Sequence, residues 1–313
     1  MRIINKAIFV KVFKDNLSFR NILIYLLIVS VPSLFFASLS QEAKMFSDLS
    51  LELKTEYLSG MFLIFSFFWL CGIALIMLSS FICSGFVAEE VSEGTMPALI
   101  AKPVSRMSIL ISKFTAFAAA ISIFSFVSLI FSAYLWISLF DLGIYSIGKF
   151  VSFIPMLFGY SVFISLLFGS IATAFSVISS SRMKALLPVI GILMLTFFAL
   201  LPVRTALINM KVYQNHAVSL IDLGYDLGNL YIGLLEGLGV RLIPPVQNAV
   251  GSFTGVYKIP PEGVRIDYDH GFILPNLEKT AFRSPAESLS KWMLISLAVL
   301  CSSFLIFQRR DIN

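Results

Sequence analysis

The side chains able to do chemistry in this chain gather in a few polar stretches, and the richest is Ala88 to Lys113, AEEVSEGTMPALIAKPVSRMSILISK. It places Glu89, Glu90 and Glu93 ahead of Lys102, Arg106 and Lys113, with Met96, Leu99 and Ile100 between them. A charged turn, a short amphipathic helix and a second turn would make a rigid knob able to dock into a groove on a partner. The same residues would also suit an ordinary solvated hairpin loop.

Other chemistries have thinner support. His216 and His270 are scattered, with Asp267 and Asp269 beside His270. Two separated histidines seldom make a metal site, and a solvated loop accounts for them. Cys71, Cys83 and Cys301 all fall inside apolar runs, which suits small packing residues and not a disulfide framework. Serines such as Ser79, Ser84, Ser125 and Ser128 could line a polar path or pack helices together. Hydrolysis inside a membrane needs a His or Lys beside the serine, paired Asp residues or His-Glu-x-x-His, and the apolar runs offer serine alone. No G-x-x-x-x-G-K-[ST] occurs, and Gly148-Lys149 is followed by Phe150, so ATP has no P-loop on this chain. No cofactor is expected on it.

The elements that must position these residues follow from composition. Hydrophobic residues make up 58% of the chain and charged ones 13%, about half the roughly 25% charged content typical of soluble domains. A membrane helix takes about 20 mostly apolar residues. Six stretches qualify: Asn21 to Leu39, Met61 to Val87, Phe114 to Phe140, Phe150 to Ile178, Ala185 to Val203, and Trp292 to Phe307, the last extendable through Ser288 to Lys291. None of the six contains Asp, Glu, Lys, Arg or His. The expected fold is therefore an all-α polytopic membrane protein with six transmembrane helices.

Loop charge gives an orientation. With the N-terminus inside, the internal segments hold Arg2, Lys6, Lys11, Lys14 and Arg20, then Lys102, Arg106 and Lys113, then Arg182 and Lys184, and finally Arg309 and Arg310. The short outside loops hold only Lys44, Lys54 and Lys149. That asymmetry places both termini in the cytoplasm. The net charge of +5 reflects this bias; the bases form no stripe suited to nucleic acid. The charged leader is long and no small-x-small site follows the first run, so cleavage as a signal peptide is not expected. Within the leader, Ile4, Ala7, Ile8 and Val12 oppose Lys6, Lys11 and Lys14, the pattern of an interfacial helix or of a plain solvated tail.

The expected organisation is an N-terminal interfacial helix over 1–20, five spans over 21–203 with the cytoplasmic loop 88–113, an extracytoplasmic segment over 204–291, and the last span and tail over 292–313. Ser40 to Gly60 carries Glu42, Asp48, Glu52 and Glu56, a solvated helix face. In the 88–113 loop, Gly94 supplies a break and Thr95 an N-cap, with Pro97 in the first turn of a short helix. Pro103 stops that helix, and Ser105 caps the next. In 204–291, Leu220, Leu223, Leu227, Leu230, Leu234 and Leu238 recur at helical spacing, while Gly224, Gly228, Gly233 and Gly237 should weaken or interrupt the helix.

The run Glu90-x-x-Glu93-Gly94-Thr95, followed by Leu99-Ile100-Ala101-Lys102-Pro103-Val104-Ser105-Arg106 and then Lys113, resembles the permease subunits of type-2 ABC transporters. The ending Phe307-Gln308-Arg309-Arg310-Asp311-Ile312 is similar to that family's close, a last span followed by Arg-Arg-Asp-Ile. Six spans with both ends inside match as well, although the external segment before the sixth is longer than in minimal members.

The resemblance implies a pair of permeases, with a second copy or a paralogue, each contacting a separate ABC ATPase subunit that carries ATP and Mg. Glu89, Glu90 and Glu93 would meet basic or polar groups on the ATPase. Gly94 and Thr95 would shape the knob, with Pro103 closing it. Met96 and Leu99 would fill a groove flanked by Lys102 and Arg106, with Arg182 and Lys184 as a second contact. The implied function is ATP-driven export of a lipid, amphipathic compound or ion across the plasma membrane, with no enzymatic activity on this chain. An ion-gradient-driven secondary transporter or a channel is the alternative, and the uncharged spans weigh against ion coupling.

Overall fold

A computed structural model of the protein describes residues 4–42, 50–96, 104–210, 212–215, 218–240, 242–258, 277–280 and 282–310. Nearly all of these are helical, and the β pairing among them is an isolated antiparallel bridge between Tyr257 and Lys279. Six helices are long and apolar enough to cross a membrane, as the sequence predicts.

Asn5 opens helix α1 (Lys6–Asn16) by accepting hydrogen bonds from the Ala7 and Ile8 N–H groups. The backbone N–H of Asn5 donates to Ser112 Oγ at 2.7 Å, which docks this leader onto the third span. Helix α2 (Phe19–Glu42) is the first span. The second comprises α3 (Leu51–Phe65), a wide-turn π segment (Ser66–Ala74) that kinks at Gly72, and α4 (Leu75–Ser84). It begins at Leu51, well before the expected Met61, because Ser50 caps it and the solvated face with Glu52 and Glu56 is its first turns. The short helix α5 (Ala88–Ser92) follows. Ser105 caps the third span, α6 (Arg106–Leu139), as expected from its position, by accepting from Ser108 N.

Helix α7 (Tyr145–Ile178), the fourth span, is the hub of the bundle and packs on α4, α6, the fifth span and the last. The fifth span is α8 (Arg182–Met194), a second π segment (Leu195–Ala199) and α9 (Leu200–Asn209), so helix continues past Val203 and carries Arg204 with it. Two helices of the following segment are α10 (Leu223–Gly237) and α11 (Pro244–Thr254). The last span is α12 (Pro285–Arg309), opened by a capping box between Ser284 and Glu287.

Small polar side chains join the spans. Thr55 Oγ1 and Ser146 Oγ lie 2.9 Å apart, Ser170 and Ser296 Oγ 3.0 Å apart, Ser125 hydrogen bonds Ser161, and Trp136 Nε1 donates to Ser33 Oγ at 3.1 Å. Ser125 is thus a packing residue, while Ser79, Ser84 and Ser128 turn back to carbonyls of their own helices. The two π segments meet at Phe67 and Phe197, whose ring centroids are 6.1 Å apart, with Tyr160 stacked on Phe67 and Tyr231 tilted against it.

Helix α10 departs from expectation. It is buried almost all round, and its glycines do not interrupt it. At Gly228 the side chain of Thr254 occupies the space a Cβ would need, so the glycine lets α11 approach closely. Tyr160 OH, inside the fourth span, donates to Leu227 O at 3.3 Å, and Tyr231 OH donates to Leu63 O at 2.8 Å. The segment between spans five and six therefore packs into the bundle and does not merely rest on it.

Candidate functional site

Both ends of the described chain, the α4–α6 connection and the α7–α8 turn come together at one end of the bundle, here the terminal face. The link from α4 to α5 is fixed first. Ser176 near the end of α7 is fully buried; its Oγ donates to Ser84 O at 2.8 Å and accepts from the N–H groups of Val87 and Ala88 at 3.0 and 3.1 Å. One hydroxyl thus satisfies the backbone of a turn that leaves the helix and re-enters it.

Two ion pairs then hold α5. Glu89 Oε1 lies 2.9 Å from Arg182 Nη1, across to the α7–α8 turn. Arg182 also donates to Phe81 O through Nε and Nη2, and its guanidinium sits 3.6 Å from the Phe81 ring centroid. Glu90 Oε1 lies 2.6 Å from Lys113 Nζ, which donates in addition to Phe86 O at 2.5 Å. The Lys113 side chain is only 7% exposed, so its charge depends on these two oxygens.

Helix α5 ends at Gly94, whose φ is +69°. The Gly94 N–H donates to Val91 O and the Thr95 N–H to Glu90 O, the paired bonds of a Schellman motif with glycine in the left-handed position. Thr95 is thereby the outer residue of this cap, and its Oγ1 also donates to Glu90 O at 3.3 Å. Glu93, Gly94 and Thr95 are exposed, and Met96 is buried. Leu99, Lys102 and Pro103, with the short helix expected around them, lie outside the described residues.

Arg106 faces away from α5 toward the last span. Its Nη1 donates to Arg310 O at 2.5 Å and to Phe307 O at 3.4 Å, facing the end of α12. Arg310 in turn donates to Val177 O and, at 3.1 Å, to Ser179 O. Arg106 and Arg310 therefore clamp the end of α12 to α6 and to the α7–α8 turn. The structure brings Glu89, Glu90, Gly94 and Thr95 together with Arg182, which the sequence offered as a second contact, and adds Lys113, Phe86 and Ser176. Lys113 had two sequence signals, its position one residue before an uncharged span and its place in the run that resembles the permease family; Ser176 had none.

A second ionic cluster lies at the opposite end. Arg204 and Asp222 are 2% and 4% exposed and 2.5 Å apart; Tyr213 OH donates to Asp222 Oδ2, and Arg204 Nη1 to Phe253 O. Burial pushes the Asp222 carboxyl up, but Arg204 and the donors from Tyr225 N and Tyr213 outweigh it and hold the group below its ordinary value. Asp226 is buried and accepts from Arg283, Ser288, Lys291 and Trp292, which ties α10 to the start of α12. His216, Asp267, Asp269 and His270 lie outside the described residues.

Residues 22–312 match the family described as ABC-2 family transporter protein. No curated protein matches the chain.

Proposed function

The chain belongs to the ABC-2 family of transporter proteins, and on that premise we propose that its terminal face is cytoplasmic and receives a separate ATPase. It is a permease subunit of an ABC transporter and a multi-pass protein of the plasma membrane. Loop charge supports the orientation, since the basic residues of the short loops cluster on the terminal face. On this reading residues 1–20 form the interfacial helix, 88–113 the coupling loop and 204–291 an outer segment.

The observation that carries the proposal is the exposed cap Glu93-Gly94-Thr95 on a helix fixed to both internal turns. Glu89 reaches the α7–α8 turn through Arg182, and Glu90 reaches α6 through Lys113. A push on α5 is therefore delivered to spans two, three, four and five together. Closure of a pair of ATPases, with ATP and Mg bound on them, would move these helices as one unit and reorient a permease dimer toward export. Because Glu89 and Glu90 are engaged in ion pairs within the chain, Glu93 and Thr95 offer the exposed contacts, and the two pairs serve as transmission. Lipids or amphipathic compounds suit the uncharged spans as cargo.

Co-purification tests the reading. The full-length protein isolated from its own membranes is expected to bring down an ATP-hydrolysing subunit in equal amount. A protein that purifies without one and transports on an ion gradient alone would contradict it.

A further inference from the structure

An open cleft of about 1070 Å³ runs between α1–α2 on one side and α4–α5 on the other. Its two ends differ in chemistry. On the terminal face it is rimmed by Lys11, Asp15, Arg20 and Glu93, with the Glu89–Arg182 and Glu90–Lys113 pairs at its base. Farther in it is apolar, with Ile24 and Ile28 on one wall and Ile73, Met77 and Leu78 on the other. Trp69 Nε1 donates to Ile28 O at 3.1 Å and bridges the walls at the far end.

Three polar atoms on residues lining this cleft are buried without a hydrogen-bond partner: Glu90 Oε2, an acceptor, Asn16 Nδ2, a donor, and the Tyr25 hydroxyl, which can act as either. Buried polar groups are nearly always satisfied, so an orphan carboxylate oxygen and an orphan amide in one cleft call for a molecule carrying both a donor and an acceptor. Charge narrows the class. The two ion pairs cancel, and the remaining rim sets Lys11 and Arg20 against Asp15 and Glu93, so neither sign is in excess. A purely anionic headgroup would leave the acids unmatched.

We infer that this cleft binds one zwitterionic phospholipid whose headgroup carries a primary ammonium. The ammonium donates to Glu90 Oε2, and the phosphate accepts from Asn16 Nδ2 and faces Lys11 and Arg20. An acyl chain lies along the apolar walls. From Ile73 to Gly85 the helical wall rises about 18 Å at 1.5 Å per residue, comparable to the roughly 15 Å depth of one leaflet. This apolar depth favours a lipid over a free phosphoamine. Assigning the lipid to the inner leaflet rests on the orientation proposed above; the binding itself does not.

The test uses the full-length protein in phosphatidylcholine nanodiscs with a small fraction of phosphatidylethanolamine bearing a diazirine on its acyl chain. Neither ATPase nor nucleotide is present, so failure here is distinct from failure of the permease reading. Illumination is expected to place adducts on the walls around Ile24, Ile28, Met77 and Leu78. Unlabelled phosphatidylethanolamine should compete about tenfold better than phosphatidylcholine or phosphatidylglycerol, the scale of one charge-assisted hydrogen bond. Glu90→Gln should reduce labelling by a similar factor. Ile73→Trp fills the cleft without touching a charge and should abolish labelling at unchanged elution, which keeps the test valid where Glu90→Gln fails to fold. Equal competition by phosphatidylcholine, a preference for phosphatidylglycerol, or adducts spread over the exposed faces of α6 and α12 would each overturn the inference.

Discussion

Lys113 Nζ lies 2.6 Å from Glu90 Oε1 and 2.5 Å from Phe86 O, so one ammonium holds both α5 and the turn that leads into it. The exposures of the partners are unequal, 7% for the Lys113 side chain and 26% for that of Glu90. Removing either partner should therefore not cost the same. Glu90→Ala strands a buried cation and is expected to destabilise the protein by roughly 2–3 kcal/mol, below the full 3–5 of a wholly buried pair because Phe86 O remains. Lys113→Met leaves a carboxylate on a side chain that is 26% exposed and can turn toward solvent, and should cost about 1 kcal/mol. Thermal midpoints of the two variants in one detergent measure the asymmetry; equal losses would contradict it.

Gly94 separates stability from coupling. Its φ of +69° penalises any side chain, although no atom lies within 4 Å of where a Cβ would sit. Gly94→Ala should cost about 1 kcal/mol, confined to the cap. The thermal midpoint is expected to stay near that of the unmodified protein, while the partner's ATP hydrolysis no longer drives transport. Transport per ATP hydrolysed is the measurement; an unchanged ratio would remove Gly94 from the coupling path.

Much of this architecture can be read from residue types. Uncharged runs disclose six spans, and Ser105 and Gly94 mark a cap and a break at their observed places. What local patterns cannot disclose is pairing at a distance. Arg204 sits just beyond an apolar run and reads as the start of a solvated segment, yet α9 carries it inward to Asp222, Tyr213 and the Phe253 carbonyl. Glu89 and Glu90 read as contacts for a separate subunit because the cations they meet within the chain stand on other helices. The glycines of α10 lower its helix propensity, and only the approach of Thr254 shows why one is needed.

The Arg204–Asp222 pair predicts an acid response. The Asp222 carboxyl is held below its ordinary value in the folded protein, so its contribution is fully present above the unfolded value of about 3.9. It is lost as pH falls through the lower folded value. Asp222→Asn should flatten that part of the acid limb and cost about 3–5 kcal/mol near neutrality, since Arg204 is left buried without a counter-charge. Thermal midpoints from pH 7 down to strongly acidic buffer test both; an unaltered acid limb in Asp222→Asn would show that other carboxylates govern it.

The central claim is that the terminal face receives the ATPase, and its most direct test is a site-directed cross-link in native membranes. In a Cys301→Ser background, where Cys71 and Cys83 remain buried, the exposed cap residue is converted by Thr95→Cys and treated with a short thiol-to-lysine reagent. A control variant, Leu238→Cys, places the thiol at the opposite face, where that side chain is exposed. The account predicts a permease–ATPase adduct from Thr95→Cys and none from Leu238→Cys. An adduct from Leu238→Cys, or none from Thr95→Cys with the ATPase present, would contradict it.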